Sequence, residues 1–180
     1  FRRHVESLAN PLAYAFLFYE DEARLAAHAV RSHGPGALWG LDYEFTASGA
    51  LFAGAFLDLA ETRAQIEAAE QFAASAADPM MVGAVEPEAF DALAEAFQGV
   101  AEAEAIIEAL RFSNAAYQPF MGRGGSVWTA NHIREQRIKA NFLDHWQAVA
   151  ERQRRVFIKL GAGHLMGGVS PTHISSLGNF

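Results

Sequence analysis

The chain has 180 residues, of which 51% are hydrophobic, and its formal net charge is −7. This length suffices for one domain with a sizeable buried core, and an acidic balance without a long basic block excludes a typical nucleic-acid-binding footprint. No run of roughly 18 uncharged apolar residues occurs, which predicts no membrane span, and the absence of cysteine excludes disulfides and thiolate metal sites.

A helix and a strand come first in the predicted order of elements. Asp21 and Glu22 suit the first turn of a helix, and Gly34-Pro35 is typical of its end. The short apolar run "ALWGLDYEF", residues 37–45, then becomes acidic at Asp42. This pattern predicts a buried strand that ends near Asp42.

The middle of the chain is predicted to be a helical insertion at about residues 47–118. The alanine-rich stretch "GALFAGAFLDLAETRAQIEAAEQFAASAADP" predicts one helix that ends at Asp78-Pro79. Two further helices are indicated by "EPEAFDALAEAFQG" and "VAEAEAIIEALRFSNAAY". We expect this insertion to form the wall of a site that selects a ligand.

A long helix and a second strand complete the predicted elements. The stretch "WTANHIREQRIKANFLDHWQAVAERQ" predicts a helix with Thr129 or Asn131 as its N-cap. Its apolar stripe includes Phe142 and Trp146, which are expected in the core. The run "RVFIKL", residues 155–160, predicts the second strand.

These elements predict an α/β fold with a few mostly parallel strands and helices inserted between them. In such sheets, ligands bind beyond the carboxyl ends of the strands, so Asp42, Glu44 and His164 are expected at one rim. Gly161 and Gly163 would let the backbone turn sharply there and approach a ligand closely. The alternatives are that His164 only bonds a neighbouring loop and that the two acids end a solvated strand.

Several other kinds of site are excluded or disfavoured by the motifs. "GAGHLMG" is a near miss to a dinucleotide-binding fingerprint, but Pro171 follows too soon for the helix that such a site needs. Neither G-x-S-x-G nor H-E-x-x-H occurs, so a nucleophile elbow and a zincin site are absent. One histidine cannot hold a metal, so any metal at His164 needs ligands from elsewhere.

The C-terminal third resembles the erythromycin esterase family. Members carry a helix with R-[DE]-x-x-M-x-x-N followed by a hydrophobic residue, and this chain has "REQRIKANF", with Ile138 at the Met position. A strand and "GAGH" follow, where the family has a segment like H-N-A-H, so Gly161 replaces the first histidine and His164 matches the second. The wider group includes ChaN-type haem-binding lipoproteins and Tiki/TraB-type proteins. The resemblance is strongest over 126–180 and weaker over 37–45.

The resemblance implies a hydrolase in which a histidine assists attack of water on an ester or related carbonyl of a small molecule. His164 would orient the water or the carbonyl, or polarise the oxyanion. Arg134 would stabilise that negative charge or anchor an anionic group without contributing to folding. Asp42 or Glu44 would hold a histidine tautomer or an arginine. The esterase branch implies no cofactor, whereas the relatives imply haem or a divalent metal, with His164 or Met166 as a ligand.

The chain departs from the family in one major way, since it lacks the N-terminal G-E-x-H-G that carries the presumed general base. We therefore expect residues 1–180 to be a single, truncated domain that has no esterase activity alone. The alternative function is non-catalytic binding of haem or another ligand at the same rim, and a third is a structural remnant without a site. The composition assigns neither a compartment nor an oligomeric state.

Overall fold

The computed structural model describes residues 20–43, 49–76, 85–149, 155–169 and 174–179. Of these residues, 73% are helical. Their α-helices are α1 (Glu20–His33), α2 (Gly49–Leu59), α3 (Arg63–Ser75), α4 (Pro87–Ala96), α5 (Ala101–Tyr117), α6 (Val127–Ala148) and the four-residue α7 (Ala162–Leu165). Short 3-10 turns occur at Pro35–Ala37, Gln118–Met121 and Leu177–Asn179.

The predicted α/β fold with parallel strands is wrong, because the described residues contain no strand and no sheet. The described parts of the two predicted strands, residues 38–43 and 155–160, have no regular secondary structure. The one backbone bridge found in the described ranges is antiparallel and joins Val169 to Ser175. The chain is all-helical over the part that the structure describes.

The physical reason lies in what the two apolar runs pack against. Buried Leu41 from the first run lies in one cluster with Ile138 of α6, and Ile158 and Leu160 from the second run pack against that cluster. Exposure alternates over residues 38–41 and 157–160, as it would in a strand. The apolar side chains of both runs are therefore buried against a helix. Apolar alternation alone does not provide the neighbouring strand that a sheet requires.

The described chain divides into two compact units. The first comprises described residues of Tyr43–Gly124, which include the predicted helical insertion, and the second those of Phe16–Asp42 and Gly125–Phe180. Helices α2 to α5 belong to the first unit, and α1, α6 and α7 belong to the second.

Four phenylalanine rings fill the core of the first unit. Phe56, Phe72, Phe90 and Phe97 are all 2% exposed or less. Phe56 meets Phe72 edge-to-face with ring centroids 5.7 Å apart, and its centroid lies 5.4 Å from that of Phe97. Contacts of this kind add to the free energy of burial itself, so these rings dominate the stability of the unit.

Local capping signals explain where two of the helices begin. The predicted single helix at 49–79 is two helices, because Thr62 opens α3 with a capping box in which its side chain accepts from Gln65 N and the Gln65 side chain accepts from Thr62 N. Helix α6 begins at Ser126, whose hydroxyl accepts a 3.1 Å hydrogen bond from Thr129 N. The predicted caps Thr129 and Asn131 are thus wrong.

The core of the second unit lies against α6. Ile138 is fully buried there, together with Leu41 and Leu177. Phe142 and Trp146, predicted as core, are only half-buried and stack on each other with ring centroids 5.7 Å apart. A smaller residue, one turn nearer the helix start, therefore anchors α6.

We predict that Phe56→Ala lowers the free energy of unfolding by about 3–5 kcal/mol, because the cavity removes two ring contacts in a close-packed core. Chemical denaturation followed by far-UV circular dichroism measures this change. The matched control is Leu57→Ala on the same helix, where the side chain is 42% exposed, and its loss should be about 1 kcal/mol or less. Equal losses for the two variants would contradict this account of the core.

Candidate active site

Helix α6 of the second unit places two charged side chains, Arg134 and Glu135, in consecutive positions, and each binds a residue from another segment. Arg134 binds Asp42, which lies 92 residues earlier in the sequence. Glu135 binds His164, which lies 29 residues later. Two neighbouring positions of α6 thus contact Asp42, at the end of the first predicted strand, and His164, which follows the second.

Arg134 and Asp42 form a largely buried ion pair. Arg134 Nε donates to both carboxylate oxygens of Asp42, at 2.9 and 3.0 Å, and Nη2 also contacts Oδ2. The side chains are only 11% and 14% exposed, respectively. Asn141, two turns further along α6, donates from Nδ2 to Leu41 O at 2.8 Å. Helix α6 therefore holds two successive residues of the 38–43 segment by polar contacts.

His164 is presented by the short helix α7, whose turn is closed by a 2.9 Å hydrogen bond from His164 N to Gly161 O. Its ring Nδ1 contacts Glu135 Oε1. The His164 side chain is 19% exposed and that of Glu135 is 5% exposed. The imidazole thus reaches solvent while its carboxylate partner is enclosed.

The second oxygen of Glu135 is also engaged, since Oε2 accepts a 3.1 Å hydrogen bond from Leu177 N. A buried carboxylate needs such partners, because its desolvation is otherwise costly. An ionised carboxylate only accepts hydrogen bonds, so opposite an ionised Glu135 the Nδ1 atom carries a proton, and in the neutral imidazole Nε2 then presents its lone pair. Among the described residues, no hydrogen-bond partner contacts Nε2. We call His164 and Glu135 the dyad.

The predicted site residues are placed as follows. Asp42, Arg134 and His164 all lie in the second unit. Asp42 contacts Arg134 of α6, and His164 contacts the next residue, Glu135. Asp42 and His164 do not contact the same partner. Glu44 lies outside the described residues.

Glu135 is the site residue that the sequence analysis did not select. The signal was present, because an acid follows the arginine in the "REQRIKANF" motif that supports the resemblance. A helix motif does not reveal a contact with a residue 29 positions away, so the sequence alone does not mark Glu135 as the partner of His164.

Gly161 and Gly163, which are expected to let the backbone turn sharply and approach a ligand, are not crowded by described protein atoms. A Cβ built at Gly163 has no described atom within 4 Å, and one at Gly161 meets only His164 Cδ2, at 3.5 Å. Neither glycine has a positive φ. Space around the described atoms therefore does not require glycine at either position.

Metal binding and membrane insertion find no support in the described ranges. No group of three or more histidine and acidic side chains there could hold a metal ion. None of the described helices combines the length and apolar character that crossing a membrane requires.

Comparisons with known proteins give no relative. No family model, no curated protein and no solved structure matches the chain.

We predict that Arg134→Met lowers the free energy of unfolding by about 2–4 kcal/mol, because it leaves the Asp42 carboxylate largely buried without its cation. Replacing both partners, as in Asp42→Leu with Arg134→Met, should recover part of that loss. Urea denaturation followed by tryptophan fluorescence measures both, since all three tryptophans lie in the second unit.

The control is Arg24→Met, which removes an exposed arginine whose Nη2 lies 2.9 Å from Glu20 Oε1. That change should stay within about 0.5 kcal/mol. If Arg134→Met behaved like Arg24→Met, the pair with Asp42 would have no structural role, as the sequence analysis expected for Arg134.

Proposed function

We propose that the second unit carries the histidine of an esterase-like hydrolase, with His164 acting on water and Glu135 orienting it. The observation that carries the proposal is the contact between His164 Nδ1 and a buried carboxylate. A carboxylate on one ring nitrogen selects the tautomer and aims the other nitrogen, which is the arrangement that general base catalysis uses. The resemblance of "REQRIKANF" and "GAGH" to the erythromycin esterases supports ester hydrolysis, but it places the presumed general base in G-E-x-H-G, so the base role of His164 belongs to this proposal alone.

In the proposed reaction, His164 Nε2 removes a proton from a water molecule as its oxygen attacks the carbonyl carbon of an ester. The charge that forms on the imidazole is stabilised by Glu135. Collapse of the tetrahedral intermediate breaks the bond between carbon and the alcohol oxygen, and the proton on Nε2 passes to that oxygen. The products are a carboxylic acid and an alcohol, and the dyad returns to its starting state.

Arg134 and Asp42 have a positioning role in this proposal. The guanidinium already lies against a carboxylate at 2.9 Å, so its charge is largely compensated for a developing oxyanion. Its contact with Asp42 instead holds the 38–43 segment beside the helix that carries Glu135. This reassigns Arg134 from the electrostatic role that the resemblance implied.

The apolar residues that follow His164 support a substrate with an apolar portion. Leu165 and Met166 are 39% and 41% exposed, and Val169 is 70% exposed. Sites for small organic molecules are lined mainly by apolar side chains with a few polar groups, so in this proposal these residues contact the apolar part of the substrate. An ester with a hydrophobic acyl or alcohol group fits this surface better than a highly charged substrate.

The decisive substitution is His164→Gln in the full-length gene product. Hydrolysis of p-nitrophenyl esters should fall on the order of 10²–10⁴-fold, because a positioned general base is removed. The melting temperature should change little provided that the glutamine amide donates to Glu135 Oε1 in place of Nδ1. The measurement is kcat/KM together with a thermal melt.

The matched control is His132→Gln, which removes an exposed histidine of α6 in the same unit. His132 stacks on Trp128 with ring centroids 5.5 Å apart. This variant should keep the wild-type rate. Unchanged turnover in His164→Gln, or equal loss in both variants, would rule out a catalytic role for His164.

A second candidate is non-catalytic binding of haem, as in the ChaN-type relatives of the resemblance. The supporting observation is that Met166, 41% exposed, lies two residues from His164, whose Nε2 has no hydrogen-bond partner among the described residues, so these two side chains would hold the haem iron. For this function, haem added to the purified protein should give a sharp Soret band that is lost in His164→Gln and retained in His132→Gln. Binding that ignores His164 would exclude this candidate.

A further inference from the structure

We propose that the C-terminal turn Leu177–Asn179 is a positioning element that holds the dyad in its reactive geometry. The proposal rests on the proposed function of His164 and Glu135. It assigns a role to Leu177, Gly178 and Asn179, which belong to no motif of the sequence analysis. Three independent contacts carry it: one to the carboxylate, one to the end of α7 and one to the loop after it.

The first contact sets the orientation of the carboxylate. Leu177 N donates to Glu135 Oε2 at 3.1 Å, and the Leu177 side chain is 6% exposed in the cluster with Ile138. With Oε2 engaged, Oε1 is directed to His164 Nδ1. The turn therefore fixes which oxygen the histidine meets, and the packing of Leu177 fixes the turn.

The second contact is a close approach of backbone to backbone. A Cβ built on Gly178 would lie 2.3 Å from Leu165 O and 2.8 Å from Met166 O. No real Cβ occupies such a position, so any other residue at 178 would force the turn and the end of α7 apart. Gly178 has no positive φ, so space and not backbone conformation requires glycine here.

The third contact is a side-chain clamp on the loop that follows His164. Asn179 Oδ1 accepts from Gly168 N at 2.5 Å, while Nδ2 donates to Gly168 O at 2.6 Å and to Met166 O at 3.5 Å. The fully buried Ser176 also donates to Met166 O, at 2.8 Å. These bonds leave the backbone on the C-terminal side of His164 little freedom to move.

Together the contacts connect both members of the dyad to one turn. Glu135 is held through Leu177 N, and His164 is held through Leu165, Met166 and Gly168. Displacing the turn should therefore separate Nδ1 from its carboxylate even if the rest of the unit stays folded. A reacting group must be held to within a fraction of an ångström for efficient catalysis, so such a separation should reduce turnover.

The experiment measures the tautomer of His164 by ¹⁵N NMR of its ring nitrogens in the 180-residue chain. The wild type should show a proton on Nδ1 and an unprotonated Nε2. Gly178→Ala should convert this to a mixture dominated by the Nε2–H form, with far-UV circular dichroism unchanged. The matched control, Gly163→Ala, adds the same methyl group in open space within α7 and should keep the wild-type tautomer.

Asn179→Ala is the second variant, since Asn179 is exposed and its loss should leave the unit folded even if Gly178→Ala does not. Hydrogen exchange at the Gly168 amide should accelerate about three- to tenfold as its acceptor is removed. The tautomer should shift in the same direction as in Gly178→Ala, but less.

Wild-type ring shifts in both variants would overturn the positioning role, and so would a wild-type protein without the Nδ1 proton. The proposed function fails in a different way. If the tautomer responds to the turn but His164→Gln hydrolyses esters at the wild-type rate, the turn positions a dyad that is not catalytic.

Discussion

The buried carboxylate of Glu135 is the constraint on which the second unit depends. At 4% exposure it cannot be left without partners, and its partners come from two distant segments, His164 and the Leu177 amide. Meeting this requirement brings α7 and the C-terminal turn to the same helix position. The adjacent Arg134 is a largely buried cation that likewise needs a partner of opposite charge, and Asp42 is that partner.

Buried charges of this kind specify an arrangement more than they stabilise it. Two charges removed from water regain in attraction about what they lose in hydration, whereas one left alone is strongly unfavourable. The apolar contacts of Leu41, Ile138 and Leu177 supply the favourable burial in this unit. The Arg134–Asp42 and Glu135–His164 pairs then fix where the segments that carry Asp42 and His164 lie along α6.

The same arrangement underlies the proposed chemistry. The dyad combines an enclosed acid with an imidazole that reaches solvent, so the carboxylate acts on the histidine and not on a ligand directly. The apolar side chains that follow His164 lie at the surface, while the polar anchors lie beneath. The first unit contributes a phenylalanine core and contains neither residue of the dyad.

Local signals in the sequence determined most of the helices. The Gly34-Pro35 stop acts within one turn of the chain, and α1 ends directly before it, at His33. Arg134, Asp42 and His164 could likewise be identified as candidate site residues from residue type and motif. All of these inferences use residues that lie close together in the sequence.

Tertiary structure alone decided the fold class and the partners in the site. An alternating apolar run predicts that one of its faces is buried, but it does not indicate whether a strand or a helix covers that face. Here Leu41 and Ile158 pack with Ile138 of α6. Pairing Asp42 with Arg134 spans 92 residues, and pairing Glu135 with His164 spans 29. Such contacts depend on how segments far apart in the chain come together, and neither residue type nor spacing encodes that by itself.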